Sequence, residues 1–346
     1  MWTLTALGIV AFVASYAGVA AMRRYATQHL LDIPNARSSH VHPTPRGGGL
    51  PLALIVLAGL LPLAGERAWL ACWLAAALVA TVSWIDDMRS LSYRVRLVAH
   101  AAAAGLVLVG AGAWPAVDLP WLARFHPSWA GFAIIFLWLI GLTNAYNFMD
   151  GIDGLAGSQA IVAGVGWLIL GNLAGQPALA SAGLLLACAS GGFLLHNWPP
   201  ARIFMGDVGS AFLGFLLAAL TVLAAHQDPR LAVAGVLLVW PFLFDTFFTF
   251  FRRLRRGENV FAAHRSHLYQ RLVIAGRSHR FVTVLYTNAA TVGLILALIW
   301  WMGWPGADLA VLLVLPLLCF GLWFYVRHVE RLPAFDRLGR TMASSE

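Results

Sequence analysis

Long apolar segments dominate the chain and restrict it to one class of fold. Of its 346 residues, 60% are hydrophobic and only 11% are charged. A helix of about 20 apolar residues is long enough to cross a bilayer. Such segments occur at roughly 2–20, 47–64, 68–85, 95–113, 130–148, 156–174, 178–196, 207–225, 230–251, 282–302 and 308–326. The sequence therefore predicts an all-α polytopic integral membrane protein with about 11 transmembrane helices, in one domain covering residues 1–346.

The arginines predict how these helices are oriented. The chain contains 23 basic residues, all of them arginine, and a net charge of +8. With the N-terminus in the periplasm and the C-terminus in the cytoplasm, all but Arg67, Arg124 and Arg230 fall on the cytoplasmic side, as the positive-inside rule requires. The basic charge thus reflects topology and predicts no nucleic-acid partner. The predicted cytoplasmic loops are 21–46, 86–94, 149–155, 197–206 and 252–281, with a tail at 327–346.

One polar stretch, residues 144–158, interrupts the apolar pattern between the fifth and sixth segments. It carries Asn144, Asn147, Asp150 and Asp153 at every third position, so that they share one face of a helix end. A carboxylate at the bilayer centre costs about 2.5–3.5 kcal/mol, so these side chains are expected at a membrane face or in a wet cavity. The simpler interpretation is a polar turn joining two helices.

More carboxylates fall on the same predicted side of the membrane. Asp86 and Asp87 close the third segment, and Asp207 opens the eighth. Carboxylate oxygens are the ligands that Mg²⁺ takes, together with water and substrate phosphates. The cluster therefore predicts a metal and phosphate site. The alternatives are ion pairs with nearby arginines for Asp86 and Asp87, and an ordinary helix N-cap for Asp207.

Two details of this region remain open from the sequence. Gly206 and Gly209 would leave backbone amides at the start of the eighth segment open to a phosphate. Asp245 lies about two turns inside the ninth segment, where it serves either in catalysis or in a buried pair with Arg252 or Arg253.

Two basic loops supply groups that suit phosphates. The first brings Arg46 and three consecutive glycines to the start of the second segment. The second contains His264, Arg265 and His267, and two imidazoles with a guanidinium suit a diphosphate. The pair of histidines lacks a third ligand at the spacing of a zinc site. The alternative for the first loop is a mere topology signal. For Arg252 to Arg256 of the second loop, it is contact with anionic lipid headgroups.

Together these motifs carry a resemblance to a known family. In order they are Asp32-Ile-Pro-Asn35, Pro43-Thr-Pro-Arg-Gly-Gly-Gly49, Asp86-Asp87, Asn144 to Gly157, Phe204-Met-Gly-Asp-Val-Gly-Ser210 and Arg265-Ser-His267. The chain resembles the polyprenyl-phosphate N-acetylhexosamine-1-phosphate transferase superfamily over nearly its whole length. Many relatives have two further histidines where this chain has Tyr269 and Gln270, and an aspartate in place of His264. By resemblance, these departures favour the enzymes that initiate O-antigen or enterobacterial common antigen.

The resemblance implies a reaction and its participants. A UDP-N-acetylaminosugar would donate its sugar 1-phosphate to undecaprenyl phosphate and release UMP, in the first membrane step of O-antigen or related cell-envelope polysaccharide synthesis. The implied cofactor is Mg²⁺, with Mn²⁺ as an alternative. The implied location is the bacterial inner membrane, among membrane lipids, with the active site on the cytoplasmic face. Oligomeric state is left open, a homodimer included.

The resemblance also implies roles for individual residues. Asp86 and Asp87 would be catalytic, and Asp207 would lead the metal ligands together with Asp87. Substrate would be bound by Arg46, Asn144, Asn147, Asp150, Asp153, His264, Arg265 and His267. Asp153 would lie near the uracil and ribose, and His267 with Arg265 would meet the diphosphate.

Three other functions compete with this one. A transporter or lipid flippase would place its ionisable residues near the middle of broken helices, whereas here they gather at one face. A peptidoglycan phospho-MurNAc-pentapeptide transferase shares the chemistry and differs in its donor. A CDP-alcohol phosphotransferase would need an arginine where Gly157 follows Ala156.

Overall fold

The computed structural model describes residues 2–34, 42–112, 117–119, 122–125, 129–260 and 264–332. Asn35 of the first motif and the tail beyond residue 332 lie outside these ranges. The helices are α1 Trp2–His29, α2 Gly49–Leu60, α3 Arg67–Arg89, α4 Tyr93–Ala111, α5 Trp129–Met149, α6 Leu155–Leu173, α7 Pro177–Asn197, α8 Asp207–Gln227, α9 Arg230–Leu238, α10 Trp240–Arg255, α11 Leu268–Ile274, α12 His279–Trp301 and α13 Ala307–Arg331. The predicted all-α class is confirmed.

Strands are short and few in the described ranges. Strands β1 Leu31–Asp32 and β2 Thr44–Pro45 form one antiparallel pair. Strands β3 Val117–Leu119 and β4 Leu122–Phe125 form another. The first pair matters for the site, because it holds the chain between α1 and α2 so that Arg46 comes directly before α2. The amide of Arg46 donates to the carbonyl of Leu30 at 3.0 Å.

Every predicted apolar segment forms a helix, but two of them differ from a simple span. Nine described helices are long and apolar enough to cross a membrane, and the pair α9–α10 makes a tenth, bent by 74°. Pro241 lies in the first turn of α10 and lacks the N–H that would continue the ladder of α9, which explains the break. The second segment forms only the short α2 and a 3₁₀ turn, Leu61–Gly65, that contains Pro62.

Helix α8 is the centre of the bundle. The apolar stretch of α8 that is long enough to span a membrane is completely buried, and the helix packs against α2, α3, α5 and α9. Helices α2 and α8 meet at two glycines, since a Cβ built on Gly209 would lie 2.8 Å from the Cα of Gly49. This close approach fixes the N-terminus of α8, and with it Asp207, against the N-terminus of α2.

The connections place the polar motifs at one end of the bundle. Successive long helices run in opposite directions, so the C-terminal ends of α3 and α5 lie beside the N-terminal ends of α8 and α12. Helical structure extends into three of the predicted loops. Helix α1 reaches His29, α3 reaches Arg89 and so includes Asp86 and Asp87, and the separate helix α11 lies within the loop predicted at 252–281.

Candidate active site

The carboxylate of Asp87 caps the N-terminus of α8. Its two oxygens accept hydrogen bonds from the backbone amides of Asp207 and Val208, each at 3.0 Å. Gly206, at φ +78°, makes this approach possible, because a Cβ there would lie 2.7 Å from Asp87 Oδ2. The expectation that Gly206 leaves these amides open to a phosphate is therefore wrong. The amides already bind a carboxylate of the protein, which is stabilised by the positive end of the helix dipole.

Asp207 is held by side chains alone. Its Oδ1 accepts from Asn147 Nδ2 at 2.7 Å, and its Oδ2 accepts from Arg96 Nη1 at 3.2 Å. Asn147 also donates to Ser210 Oγ at 2.9 Å, which ties the end of α5 to the first turn of α8. Asp207 therefore has a fixed position while its carboxylate faces a cavity.

Arg96 joins Asp207 to Asp86. The same guanidinium nitrogen donates to Asp86 Oδ2 at 3.0 Å, and Asp86 also accepts from the backbone amide of Leu91. The alternative interpretation of Asp86, an ion pair with an arginine of the following loop or helix, is what the structure shows. Asp86 lines neither of the two cavities at this end of the bundle.

The first cavity, of about 280 Å³, is lined mainly by polar groups. It brings together six of the predicted site residues, Arg46, Asp87, Asn147, Asp150, Asp153 and Asp207, along with Asp32, Asn197, Ser210, Gln270 and His279. The side chain of Arg46 is held beside this cavity, because its guanidinium donates a hydrogen bond to the backbone carbonyl of Asp87. Acidic residues separated by more than a hundred positions in the sequence thus face one space, as the sequence predicts.

Negative charge is crowded in this first cavity. Burial raises the pKa of Asp150 well above its usual range, and the neighbouring carboxylates of Asp207, Asp87 and Asp153 raise it further. The negative charge of Asp153 is better compensated than that of Asp150. Asp153 accepts a hydrogen bond from the backbone amide of Ala201 at 3.0 Å, and its Oδ2 lies 3.3 Å from His279 Nδ1. A cation bound in the cavity would relieve the repulsion that Asp150 experiences.

These residues fit a magnesium ion whose coordination is completed by the phosphates of a substrate. Within the described ranges, no three His, Cys, Asp or Glu side chains are arranged as a complete metal site. Mg²⁺ is commonly bound by one or two carboxylates, with water and substrate phosphates filling its other positions. Asp207 and Asp150 line the same cavity and supply such a partial set of oxygens.

The second cavity, of about 470 Å³, has a largely apolar lining. It is lined by Ser83, Tyr93, Arg96, Leu97, His100, Asn144, Asn147, Phe148, Asp207, Ala211, Phe250, Val260, His264, His267 and Gln270. Asn147, Asp207 and Gln270 line both cavities, so they form a shared wall. His100 is only 5% exposed, and its Nδ1 has no hydrogen-bond partner among the described residues. His100 thus brings a buried imidazole to the wall of this cavity.

The remaining predicted residues have distinct surroundings. Asn144 lines the second cavity and donates to the carbonyl of Ile140 at 2.7 Å. His264 also lines it, but burial lowers its pKa to about 4, assisted by the charges of His267, Arg253 and Arg252. His264 is therefore neutral at pH 7 and can bind a phosphate only as a hydrogen-bonding group. Arg265, predicted to meet the diphosphate, lines neither cavity.

His267 and Asp245 form a buried pair. His267 Nδ1 lies 3.2 Å from Asp245 Oδ1, and the ring lines the second cavity. Of the two alternatives left open for Asp245, the buried pair with Arg252 or Arg253 is not formed. Arg253 instead contacts Glu258 at 3.4 Å and donates to the carbonyl of Asn259.

Tyr269 supports the Asp150–Gly154 turn from behind. Its buried hydroxyl donates to the carbonyl of Phe148 at 2.9 Å. A Cβ built on Gly151 would lie 2.1 Å from the hydroxyl oxygen of Tyr269. Gln270, in contrast, lines both cavities. Of Tyr269 and Gln270, the two positions where many relatives have histidines, only Gln270 lines either cavity.

We expect Gly151→Ala to lower the thermal stability of the detergent-purified protein, by about 1–3 kcal/mol, because the added methyl group overlaps the Tyr269 hydroxyl. Tyr269→Phe removes that oxygen and should recover part of the loss in the double variant. The matched control is Gly105→Ala, at a helical position whose Cβ would meet no neighbouring atom within 4 Å. Equal melting temperatures for Gly151→Ala and Gly105→Ala would contradict the contact.

Sequence reasoning did not identify several polar residues that line these cavities, among them Arg96, His100, Asn197 and His279. Arg96 was considered only as a topology signal and as an ion-pair partner of Asp86 or Asp87. Its spacing of four from His100, which places both on one face of α4, is the signal that could have identified the pair.

Comparison with known proteins agrees with this geometry. The model of the family "Glycosyl transferase family 4" matches residues 69–225, the segment that runs from α3 to α8. The chain is 31% identical over 262 residues to a probable undecaprenyl-phosphate N-acetylglucosaminyl 1-phosphate transferase of Bacillus subtilis (strain 168), covering 74% of this chain and 73% of that protein.

Two further relatives extend the comparison. A decaprenyl-phosphate N-acetylglucosaminephosphotransferase of Mycobacterium leprae (strain TN) is 32% identical over 321 residues, 82% of this chain and 78% of that protein. A phospho-N-acetylmuramoyl-pentapeptide-transferase of Synechococcus sp. (strain RCC307) is 39% identical over 217 residues, 56% of this chain and 58% of that protein. The chain therefore belongs to glycosyl transferase family 4, within the polyprenyl-phosphate N-acetylhexosamine-1-phosphate transferase superfamily.

Proposed function

We propose that this protein transfers an N-acetylaminosugar 1-phosphate from a UDP-sugar to undecaprenyl phosphate and releases UMP. The family and its relatives support a sugar-1-phosphate transferase that uses a polyprenyl phosphate. The observation that carries the proposal is the shared wall, where a polar cavity meets an apolar one at Asn147, Asp207 and Gln270. A reaction between a water-soluble nucleotide sugar and a lipid phosphate needs two such compartments.

We assign the polar first cavity to the nucleotide sugar. Its acidic lining suits a metal-bound diphosphate, and Arg46 could bind an anionic oxygen of that diphosphate. Asp153, held by the amide of Ala201 and by His279, would accept hydrogen bonds from the base or the ribose. The second cavity, whose apolar side includes Tyr93, Leu97 and Phe250, would take the lipid acceptor.

The donors of the second cavity suit the phosphate of that acceptor. Arg96 and His100 are one turn apart on α4, and both line the cavity. Tyr93 and Phe250 are exposed on the protein surface, so a polyprenyl tail could pass between the cavity and the bilayer. In this arrangement the phosphate lies beside Asp207 and the tail leaves on the membrane side.

Attack of one phosphate on another requires that the negative charges of both phosphates be neutralised and that the reacting atoms be aligned. An oxygen of the lipid phosphate bonds to the sugar-bearing phosphorus, and the bond from that phosphorus to the UMP oxygen breaks as UMP leaves. When bound, Mg²⁺ would neutralise the phosphate oxygens and polarise the phosphorus under attack. Asp207 would be its leading ligand, while Asp87 would fix the position of Asp207 through the α8 amides. Asp86 would hold Arg96.

A strong base is not needed, because a phosphate monoester is already largely ionised near pH 7. The charge of Arg96 and the donors of the second cavity act on the acceptor before attack. We therefore favour direct displacement. The proposal also includes a location in the bacterial inner membrane with the site on the cytoplasmic face, and a role in O-antigen or related envelope polysaccharide synthesis.

A second candidate differs only in the donor. The identity to a phospho-N-acetylmuramoyl-pentapeptide-transferase favours UDP-N-acetylmuramoyl-pentapeptide as an alternative. The transporter or flippase hypothesis is weaker, because Asp87, Asp150 and Asp207 lie at helix ends and not at the middle of the bundle.

The test is UMP release by the purified protein. It is incubated with undecaprenyl phosphate, Mg²⁺ and, separately, UDP-N-acetylglucosamine, UDP-N-acetylgalactosamine or UDP-N-acetylmuramoyl-pentapeptide, and the lipid product is identified by mass spectrometry. The Bacillus subtilis relative serves as a positive control. We expect release with one of the first two donors. Release with the pentapeptide donor alone would favour the second candidate, and none with any donor, in an assay where the control is active, would overturn the proposal.

The assignment of the second cavity gives a further expectation. His100→Leu should raise the KM for undecaprenyl phosphate about tenfold, equivalent to about 1.4 kcal/mol, and leave the KM for the UDP-sugar nearly unchanged. The matched control is His226→Leu, at the C-terminal end of α8 and therefore far from Asp207 and the two cavities. In the native protein, His226 Nδ1 lies 2.8 Å from the carbonyl oxygen of Val222. An increase in the UDP-sugar KM instead would assign His100 to the other substrate.

A further inference from the structure

Asp245 is a buried carboxylate for which the reaction described above has no use. It lies on α10 and is 0% exposed. Burying a carboxylate is costly unless hydrogen bonds replace the lost water. The protein retains it in a wholly enclosed position, at the junction of α10, α11 and α12, and the surrounding contacts indicate why.

Five donors converge on this one carboxylate. Oδ1 accepts from Leu268 N at 2.8 Å and from Thr249 Oγ1 at 3.2 Å, and it lies 3.2 Å from His267 Nδ1. Oδ2 accepts from Tyr286 Oη at 2.6 Å and from Tyr269 N at 3.0 Å. Both oxygens are therefore fully engaged, and Asp245 cannot itself bind substrate or metal. Its influence has to pass through the groups it holds.

Of these five donors, only the imidazole of His267 lines either of the two cavities described above. Because Nδ1 faces a carboxylate, Nδ1 carries a proton, and Nε2 is the ring nitrogen left to meet a ligand. A hydrogen bond at one ring nitrogen sets the state of the other in this way. His267 is 4% exposed, so the ring has little freedom to turn away from Asp245.

The ring is also restrained by its neighbours. It stacks on Tyr269, with centroids 5.9 Å apart, and lies against His264 at 5.0 Å. The backbone amides of Leu268 and Tyr269 both bind Asp245, so the peptide segment that carries the imidazole is fixed by the same carboxylate. Asp245 thus controls both the orientation of the side chain and the position of its backbone.

We propose that Asp245 is a positioning residue, which orients His267 so that its Nε2 meets a phosphate oxygen of the substrates at the second cavity. This inference rests on the proposed function. Asp245 does not touch the substrates. It acts through His267, as a carboxylate does when it orients a histidine that contacts a reacting group.

A purely architectural role is the competing explanation, since Asp245 also joins α10, α11 and α12. A double-mutant cycle separates the two, because a positioning residue loses its effect when the residue it positions is gone. The cycle compares Asp245→Asn, His267→Gln and the double variant, each measured for kcat, for both KM values and for thermal unfolding in detergent.

We expect Asp245→Asn to lower kcat about 10 to 100-fold in the native background, and by less than about threefold in the His267→Gln background. The controls are Tyr286→Phe and Thr249→Val. Each removes one donor to the same carboxylate without contacting the imidazole, so each should change kcat by less than about threefold. If Asp245→Asn does not fold, Asp245→Glu, which keeps the charge and displaces it by one methylene, replaces it in the cycle.

The outcomes are distinguishable. An equal fold loss of kcat in both backgrounds, or losses in the two control variants as large as that of Asp245→Asn, would overturn the role of Asp245. A native protein that releases no UMP under conditions where the relative is active would overturn the proposed function itself.

Discussion

Asp207→Asn should reduce sugar-phosphate transfer by about 10²- to 10³-fold and leave the fold intact. The carboxylate accepts hydrogen bonds from Asn147 on one oxygen and from Arg96 on the other, and the side chain of Asp86 lies next to it. An asparagine has nearly the same shape, so the packing around α8 is kept while the negative charge that faces the first cavity is lost. Loss of one charge-stabilising group in an active site has effects of this size.

The measurement is UMP release together with thermal unfolding of the same preparations. The matched control is Asp308→Asn, an exposed carboxylate in the first turn of α13 at the far end of the bundle, which should retain native activity. Dependence of activity on Mg²⁺ concentration gives a second measurement, since a lost ligand should raise the concentration needed for half-maximal rate. Full activity of Asp207→Asn would remove this residue from the metal site.

Asp87→Asn should also abolish most of the activity, but it should destabilise the protein as well. An amide has one acceptor oxygen, so its NH₂ group would face the backbone N–H of Asp207 or of Val208 and leave that buried donor without a partner. The expected loss of stability is about 1–2 kcal/mol, the range of a deleted helix cap. The N-terminus of α8 would shift, and Asp207 would shift with it.

A comparison of the two aspartates tests this division of roles. Thermal unfolding should separate them, with a lowered melting temperature for Asp87→Asn and an unchanged one for Asp207→Asn. Gly206→Ala should resemble Asp87→Asn, because its Cβ would lie 2.7 Å from the capping carboxylate at a backbone angle of +78°. A melting temperature for Asp87→Asn equal to that of the native protein would show that its hydrogen bonds to α8 do not stabilise the helix.

The sequence predicted the class of fold and the gathering of polar groups because the bilayer leaves few alternatives. Apolar segments of about 20 residues must form helices, since no water is present to satisfy their backbone groups. Carboxylates must collect where water or ligands can reach them. Asp87, Asp150 and Asp207 were therefore expected in one place, and they line one cavity.

The partners of each charged group could not be predicted from the same pattern. Asp87 lies at the C-terminal end of α3 and Asp207 at the N-terminal end of α8, and both line the first cavity. Asp87 nevertheless binds the backbone amides of α8, whereas Asp207 is held by side chains. Asp245 and His267 are 22 residues apart, and the expected arginine partners of Asp245 are nearer in sequence. Which donor reaches a buried carboxylate depends on how α10, α11 and α12 pack, and periodicity carries no information on that packing.

The bend between α9 and α10 is an intermediate case. Pro241 was visible in the ninth segment, and proline interrupts helices. The apolar content nevertheless indicated one continuous span, because hydropathy reports length and not direction. The 74° angle is set by tertiary packing around the break.

The shared wall between the two cavities has a consequence for the order of events. In the proposed reaction, the nucleotide sugar would enter the first cavity and the lipid phosphate the second, so neither would have to pass through the cavity of the other. The two substrates could then bind in either order. After transfer, UMP would leave from the first cavity and the lipid-linked sugar from the second.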